Sequence, residues 1–462
     1  MCKLLSIPSG GAGCDTFISI MITMGERQQM KKRGVVLAAL VAATLAVAGC
    51  TAAPGGGGVA QDEGDPEKLT VLVMDSPSAD GLKALAQTYE EETGIAIEFV
   101  EVPYEQLATK VILAAQSGQA TYDLAQVDAG YLPQIVAAGA LLPLDDYLEN
   151  DEDYGYPDDF PQGLIEYAKH DGISYSVPLS TEPYLQWYRT DLYDELGLTP
   201  AATWDDALSN AEALDGAGYI GYGGIYDAAA AAYFYLSLLQ SSGGRLLDPE
   251  TNRPLLDSPE ARTVMERYLE LAEYGPSGVD SATVYDAVNA FSQLQVGQMV
   301  LASGWWSTVN DPESSASNGK VATAEIPLSE DGPYEPVSSL FGWVAGISSA
   351  SPHQDAAWDF LSWALSADNA GAFIDAGAPP PARLSTSSNP EFQEKLPYLA
   401  SAAEAAETGL PLPRTPELSQ IIAVVSQAIS SMATGQLSID DGMTQAQDGV
   451  MNILVQSGKY TG

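Results

Sequence analysis

From Lys68 onward the apolar and polar positions follow two alternating periods. Lys68–Met74 (KLTVLVM) is a short, nearly continuous apolar run, as a strand covered on both faces presents, and it stops at the turn-prone Asp75-Ser76-Pro77-Ser78. Over Gly81–Thr93 the residues Leu82, Leu85, Ala86 and Tyr89 share one helical face, and Gly94 supplies a C-terminal stop. Ile95–Val102 then predicts a second strand and Tyr104–Gln116 a second helix ended by Ser117-Gly118. Tyr122–Asp128 predicts a third strand and Tyr131–Ala138 a third helix. Strand and helix in alternation, joined by short connections, predict a parallel sheet covered on both faces. Ligands of such sheets sit at the carboxyl ends of the strands. Asp75-Ser76 and Asp128–Tyr131 therefore fall on the edge where a ligand would lie.

The pattern changes at Gly172–Asp191. Two β-rich runs, Ile173–Leu179 and Tyr184–Tyr188, flank a polar elbow, Ser180-Thr181-Glu182-Pro183. β-branched and aromatic residues around a proline that cannot donate to a central ladder suit a strand that leaves one sheet and enters another. Beyond it, Asp191–Leu196 reads as helix and Thr203 as the N-cap of the next one. Ala228–Gln240 and Ser258–Tyr274 follow as helices, the latter with Pro259 in its first turn, and then Ala287–Val296. Gly297–Trp306 reads as a strand carrying Trp305 and Trp306, and Phe341–Ser351 as a β-run crossing back. His353–Leu365 is helical, Gly377–Arg383 is a loop stiffened by three prolines, and Ile421–Met432 and Gln445–Val455 close the chain as helices. No internal repeat occurs. The reading is an α/β chain of two lobes, each built from discontinuous segments, able to close on a ligand by hinging.

Composition narrows the partners. The 462 residues carry a formal net charge of −43. The stretch before Cys50 holds five basic and two acidic residues, so the remainder carries about −46. Such a surface repels phosphate backbones, which argues against nucleic-acid binding; acidic solubility or salt tolerance accounts for it, and an acidic enzyme cleft cannot be read from charge alone. Cysteines stand only at Cys2, Cys14 and Cys50, and histidines only at His170 and His353. These numbers speak against a Cys/His metal site, a Cys-His nucleophile and any disulfide in a chain processed at Cys50. No catalytic residue, metal or cofactor is expected.

The N-terminus reads as a leader. Met30-Lys31-Lys32-Arg33 is a basic n-region, Val35–Val47 an apolar run too short to span a bilayer, and Ala48-Gly49-Cys50 a small-residue cleavage context. Thr51–Asp65 is a Gly- and Pro-rich tether. Residues 1–29 fit no part of this, and translation is expected to start at Met30 or Met24.

Tyr175, Pro178, Glu182, Tyr188, Arg189, Asp191 and Leu192 match the spacing Y-x-x-P-x-x-x-E-x-x-x-x-x-Y-[RN]-x-D-L. That segment resembles the lobe crossing of bacterial extracellular solute-binding proteins of family 1, the maltose-binding-protein-like sugar- and polyol-binding lipoproteins of ABC importers. Leu141–Tyr147 (LLPLDDY), Thr203-Trp204-Asp205-Asp206, Gly297–Trp306 and Phe341–Ser351 resemble further landmarks of that family, and the likeness runs from Lys68 to Leu454. It implies an α/β, two-lobed periplasmic-binding-protein-like type II fold with hinge crossovers and a central ligand cleft. Residues 66–183 and 341–398 would form the N-terminal lobe, and 184–340 and 399–462 the C-terminal lobe. Val47–Cys50 resembles a lipobox, so Cys50 would carry lipid and anchor a monomer to the outer face of the cell membrane, where it delivers a sugar, oligosaccharide or polyol to ABC permease subunits.

A site for sugars needs carboxylates or amides toward hydroxyls and flat rings against C–H faces. Asp128, at a strand's carboxyl end, is the first candidate hydroxyl acceptor and also a candidate N-cap. Glu182 and Tyr184 sit at the elbow where a ligand touches both lobes, or else brace the hinge by a salt bridge and packing. Trp305 and Trp306, as strand neighbours, face opposite ways, so one of them is expected against the ligand. Trp343 faces the cleft or the core. Arg383, held stiffly after its prolines, is placed to donate paired hydrogen bonds to hydroxyls, or to tie the lobes together. Ser76 and Tyr131 complete the candidates, and Trp187, Trp204, Trp358 and Trp363 are assigned to packing. Two other readings stay open: a polyamine or other small solute on the same fold, favoured by acidic and aromatic residues, and a secreted glycosidase with two working carboxylates.

Overall fold

Two separate apolar cores form where the sequence places its buried strands. The computed structural model describes residues 66–278 and 281–460, so the expected leader, Cys50 and the tether lie outside the described residues. The first core gathers around strands β1 (Lys68–Met74), β2 (Ala96–Val102) and β3 (Leu124–Asp128). Helix α1 (Pro77–Thr93) follows β1 and buries Leu82, Leu85 and Tyr89, and Gly94 ends it at φ 80°, a left-handed conformation that costs glycine little. Pro77 opens this helix a turn earlier than the apolar spacing indicates, since a first-turn proline forfeits no helical hydrogen bond. Helix α2 (Tyr104–Ser117) follows β2.

The chain then enters β4 (Val177–Thr181), turns at Glu182-Pro183 and continues as β5 (Tyr184–Arg189) in a second sheet. That sheet is antiparallel, β5 lying between β6 (Gln298–Ala302) and β7 (Val321–Ala324) with Tyr184 opposite Ala302 and Arg189 opposite Val321. Helices α3 (Ala231–Ser241), α4 (Val284–Ser292), α5 (Leu418–Ala433) and α6 (Ile439–Gln456) belong to its core, around Trp187, Leu239, Phe291, Met299 and Ile421. The return strand β8 (Gly342–Ile347) brings the chain back to the first sheet.

The first sheet has the order β2-β1-β3-β8-β4. Its β1–β2 and β1–β3 pairs are parallel, but β8 runs antiparallel to both β3 and β4. The all-parallel expectation is thus corrected to a mixed sheet. A chain returning from the second lobe enters from the opposite end, so its strand must run the other way. This register sets Trp343 opposite both Asp128 and Ser180 and gathers three chain segments at the carboxyl end of β3. β4 is the sheet edge, where Pro178 leaves no inner ladder without a donor.

Arg383 is the expectation that the fold overturns most plainly. It is 4 % exposed and lies inside the first lobe. Its Nε donates to the Leu365 carbonyl at 2.6 Å, and Nη1 donates to the Tyr154 carbonyl and to Asp159 Oδ2, each at 3.0 Å. The guanidinium also lies over the Tyr154 and Phe160 rings, 4.8 and 4.6 Å from their centroids. The proline loop turns it inward because Ala382 N–H is pinned to the Leu179 carbonyl at 3.2 Å. It ties segments of one lobe together. Arg383→Met leaves buried acceptors without donors and is expected to destabilise by about 3 kcal/mol in urea unfolding, with ligand affinity changed less than about twofold. Loss of affinity at unchanged stability would return Arg383 to the binding site.

Candidate functional site

Between the two cores lies a cavity of about 430 Å³. Its floor is the pair of crossings, which contribute Glu182 and Tyr184 from one and Phe341 and Trp343 from the other. One wall comes from the ends of β1 and β2 (Met74, Ser76, Ser78, Tyr104) and from Tyr131 after β3. The facing wall is built by Asp227–Ala230 and Tyr233 before and within α3, by Tyr285 of α4, and by Trp305 after β6. Among the described residues no Lys, Arg or His lines it, and Glu182 and Asp227 are the carboxylates that do. The lining is otherwise largely aromatic and small.

Glu182 is the polar centre of the floor. Its Oε1 accepts from Ser78 Oγ and Ser180 Oγ, both at 2.8 Å. Its backbone N–H donates to the Phe341 carbonyl at 2.9 Å, joining the outward crossing to the return one. Burial pushes its pKa up and the hydroxyl donors oppose that shift. The bracing is therefore by neutral donors and not by a salt bridge. Oε2 points at Gly304, where a Cβ would come within 2.1 Å, so a side chain there displaces the carboxylate. Tyr184 packs edge-on against Phe234, ring centroids 5.3 Å apart, and next to Phe341 at 5.9 Å.

Asp128 lies behind the wall instead of in it. It is 3 % exposed and absent from the cavity lining. Oδ1 accepts the Gly130 N–H at 2.8 Å, the capping role, and Oδ2 accepts the Tyr104 hydroxyl at 2.7 Å. Expected as a direct ligand contact, it instead reaches the cavity through tyrosines, because Tyr104 and Tyr131 stand between it and the ligand space. Desolvation raises its pKa to about 6 against the effect of those donors.

The tryptophan pair divides as expected, but not by strand alternation. β6 ends at Ala302, Ser303–Trp305 form a 3-10 turn, and Trp306 starts a short helix. Trp305 lines the cavity and meets Tyr285 edge-on at 5.5 Å. Trp306 turns into the second core against Trp187 and Tyr398, at 5.7 and 5.8 Å. Trp343 is both core and lining, its ring 6.1 Å from Tyr104 and perpendicular to it. Ser76 lines the cavity with a buried hydroxyl that has no protein partner.

Sequence reasoning missed Tyr104, Ser78, Tyr233, Phe341 and the Asp227–Ala230 segment. Tyr104 was within reach, since it follows the carboxyl end of β2 as Ser76 follows that of β1. The apolar pattern predicts a helix from Ala228; the helix begins at Ala231, and the stretch before it is held by Asp227 Oδ1 accepting the Ala229 and Ala230 N–H groups at 3.2 and 2.7 Å.

The arrangement fits what comparison with known proteins shows. A mannitol-binding protein of Pseudomonas aeruginosa is 25 % identical over 436 residues, covering 85 % of this chain and 94 % of that one. A probable amino-acid ABC transporter periplasmic-binding protein of Sinorhizobium fredii is 24 % identical over 354 residues, covering 72 % of this chain and 76 % of its own. Among solved structures, an ABC transporter solute-binding protein from Agrobacterium radiobacter K84 in complex with ribitol superposes with a TM-score of 0.77 at 24 % identity, over 84 % of this chain and 99 % of that one. The model of the bacterial extracellular solute-binding proteins matches residues 75–371, and with two lobes, two crossings and a cleft between them, the chain belongs to that family.

Proposed function

We propose that the protein is the substrate-binding component of an ABC importer, capturing a sugar, oligosaccharide or polyol between its lobes and passing it to transmembrane permease subunits without chemical change. The observation that carries this is the lining: among the described residues it has aromatic rings, one hydroxyl-braced carboxylate at Glu182, a Ser76 hydroxyl without a partner, and no cation. Rings suit the C–H faces of a sugar, while Glu182 and Ser76 suit its hydroxyls. An amino acid's carboxylate would enter a cavity without a positive charge to meet it, a desolvation cost with no compensation. The mannitol-binding relative, matched over most of both chains, supports a polyol.

The lobes are proposed as 66–183 with 341–398, and 184–340 with 399–462. Most members of each core fall on that division. The helix Leu399–Thr408 straddles it, giving Ala402 to the second core and Ala406 to the first. Attachment through a lipidated Cys50 to the outer face of the cell membrane rests on the leader pattern. Among the described residues, no helix is long and apolar enough to cross a membrane.

A thermal-shift series on the protein from Thr51 onward, with D-mannitol, ribitol, maltose, L-glutamate and spermidine, tests the reading. A ligand at a hundred times its Kd stabilises the native state by about 2.7 kcal/mol, so a polyhydroxy compound should raise Tm and glutamate should not. A rise with spermidine alone would replace sugar by a cation, and release of reducing sugar from a glycoside would make the protein an enzyme.

Trp305→Ala should weaken the bound compound about tenfold or more while Tm in its absence stays nearly unchanged. Trp306→Ala should do the reverse, costing about 2–3 kcal/mol of stability with affinity retained in the folded fraction. Equal effects of the two on affinity would contradict the assignment. Gly304→Ala, by pushing Glu182 aside, should weaken binding by about tenfold in calorimetry; unchanged affinity would mean that Glu182 does not touch the ligand.

A further inference from the structure

Three phenols meet across the cleft. Tyr104 and Tyr131 come from the β1–β3 side, and Tyr233 comes from α3 on the other. Tyr104 Oη lies 2.7 Å from Asp128 Oδ2 and 3.0 Å from Tyr233 Oη, and Tyr233 Oη lies 2.7 Å from Tyr131 Oη. Each phenol has one hydrogen to give, and an ionised carboxylate has none. Asp128 Oδ1 is occupied by Gly130 N–H, so Tyr104 must donate to Oδ2. The Tyr104–Tyr233 bond must then be donated by Tyr233, and the Tyr233–Tyr131 bond by Tyr131. Only one order satisfies all four contacts, and it consumes every hydroxyl hydrogen. All three tyrosines line the cavity and Asp128 does not.

We propose that Asp128 is a positioning residue that orders this chain and so turns one end of the cavity into an acceptor-only wall. The wall selects a ligand that donates a hydrogen bond there: a hydroxyl or ammonium, not an ether or carboxylate oxygen. The inference deepens the solute-binding reading and rests on it for what the wall meets; the proton order itself stands without it.

Protonating Asp128 supplies a hydrogen to Tyr104 and permits the opposite order, Asp128 to Tyr104 to Tyr233 to Tyr131, with the last hydrogen directed into the cavity. Burial holds Asp128 at about 6, which puts the reversal between pH 5 and pH 8. Desolvation, the Tyr104 hydroxyl and the Gly130 N–H act on it, and its charge is felt in turn by Tyr104, Tyr131, Tyr233, Tyr167, Tyr184 and Glu182. The tyrosines stay neutral throughout, since burial raises each of them, and Arg414 lies over the Tyr167 ring at 5.7 Å. Asp128→Asn makes the same reversal without titrating, because its NH₂ must avoid Gly130 N–H and so faces Tyr104.

Neutron diffraction from the deuterated, ligand-free protein reads the order directly. At pH 8 the deuterons should run from Tyr131 to Tyr233, Tyr233 to Tyr104 and Tyr104 to Asp128; at pH 5, and in Asp128→Asn at either pH, the Tyr131 deuteron should face the cavity. A Tyr131 deuteron facing the cavity in the wild type at pH 8, or an order unchanged in Asp128→Asn, overturns the proposal. In calorimetry with D-mannitol, wild-type affinity should fall about three- to tenfold from pH 8 to pH 5, one hydrogen bond's share, and the Asp128→Asn profile should be flat. A variant retaining the wild-type slope overturns the proposal. Absence of mannitol binding at every pH overturns the polyol reading alone, because the neutron result needs no ligand.

Discussion

Everything at the centre of this molecule depends on one buried carboxylate that has to be satisfied where the chain changes lobes. Glu182 sits in the elbow between β4 and β5, and a charge taken out of water there is costly unless donors surround it. Ser78 at the start of α1 and Ser180 in β4 supply them, and the Glu182 N–H donates to the Phe341 carbonyl. The residue's bonds thus reach three segments and fix the first helix, the outward crossing and the return crossing relative to one another. Gly304 extends the constraint to the second lobe, since only a residue without Cβ leaves room for Oε2.

Around this polar point the site divides its work. The crossings provide a floor with Glu182 at its polar centre among the rings of Tyr184, Phe341 and Trp343, and the two walls, one per lobe, add further rings. The tyrosine chain joins the walls through hydroxyl contacts between Tyr104, Tyr131 and Tyr233. Arg414 adds a second interlobe tie by donating to the Glu166 and Lys169 carbonyls. Polar contacts of this kind can exchange partners for water, unlike a continuous apolar core. The formal charge of −43 stays outside this arrangement: the cavity carries two carboxylates and much aromatic surface, so the acidity belongs to the exterior.

Much of the fold was legible because it is written in local patterns. Buried strands such as Lys68–Met74 and Leu124–Asp128 are short apolar runs between turn residues, and Thr203 with Asp206 forms the capping box that its position suggests. The rule that ligands gather at the carboxyl ends of strands located Ser76 and Tyr131, and the elbow between two β-runs located Glu182 and Tyr184. Trp305 was separable from Trp306 only in outcome, since the alternation argument needs a strand and the chain has already turned at Ser303. Tyr233, in the middle of an apolar helix, looks like any core tyrosine until the other lobe is brought opposite.

By itself, then, the sequence determined the two-lobed α/β architecture and the crossings, because strand periodicity, caps and turn residues act over a few neighbouring positions. Only the tertiary structure decided which polar side chains line the cavity between the cores. Asp128 and Arg383 are both charged residues at well-placed turns, yet one is screened by tyrosines and the other is drawn into its own lobe by the carbonyls of Tyr154 and Leu365. A buried charge goes where its hydrogen-bond partners are, and those partners lie as far away in the chain as Tyr154 is from Arg383.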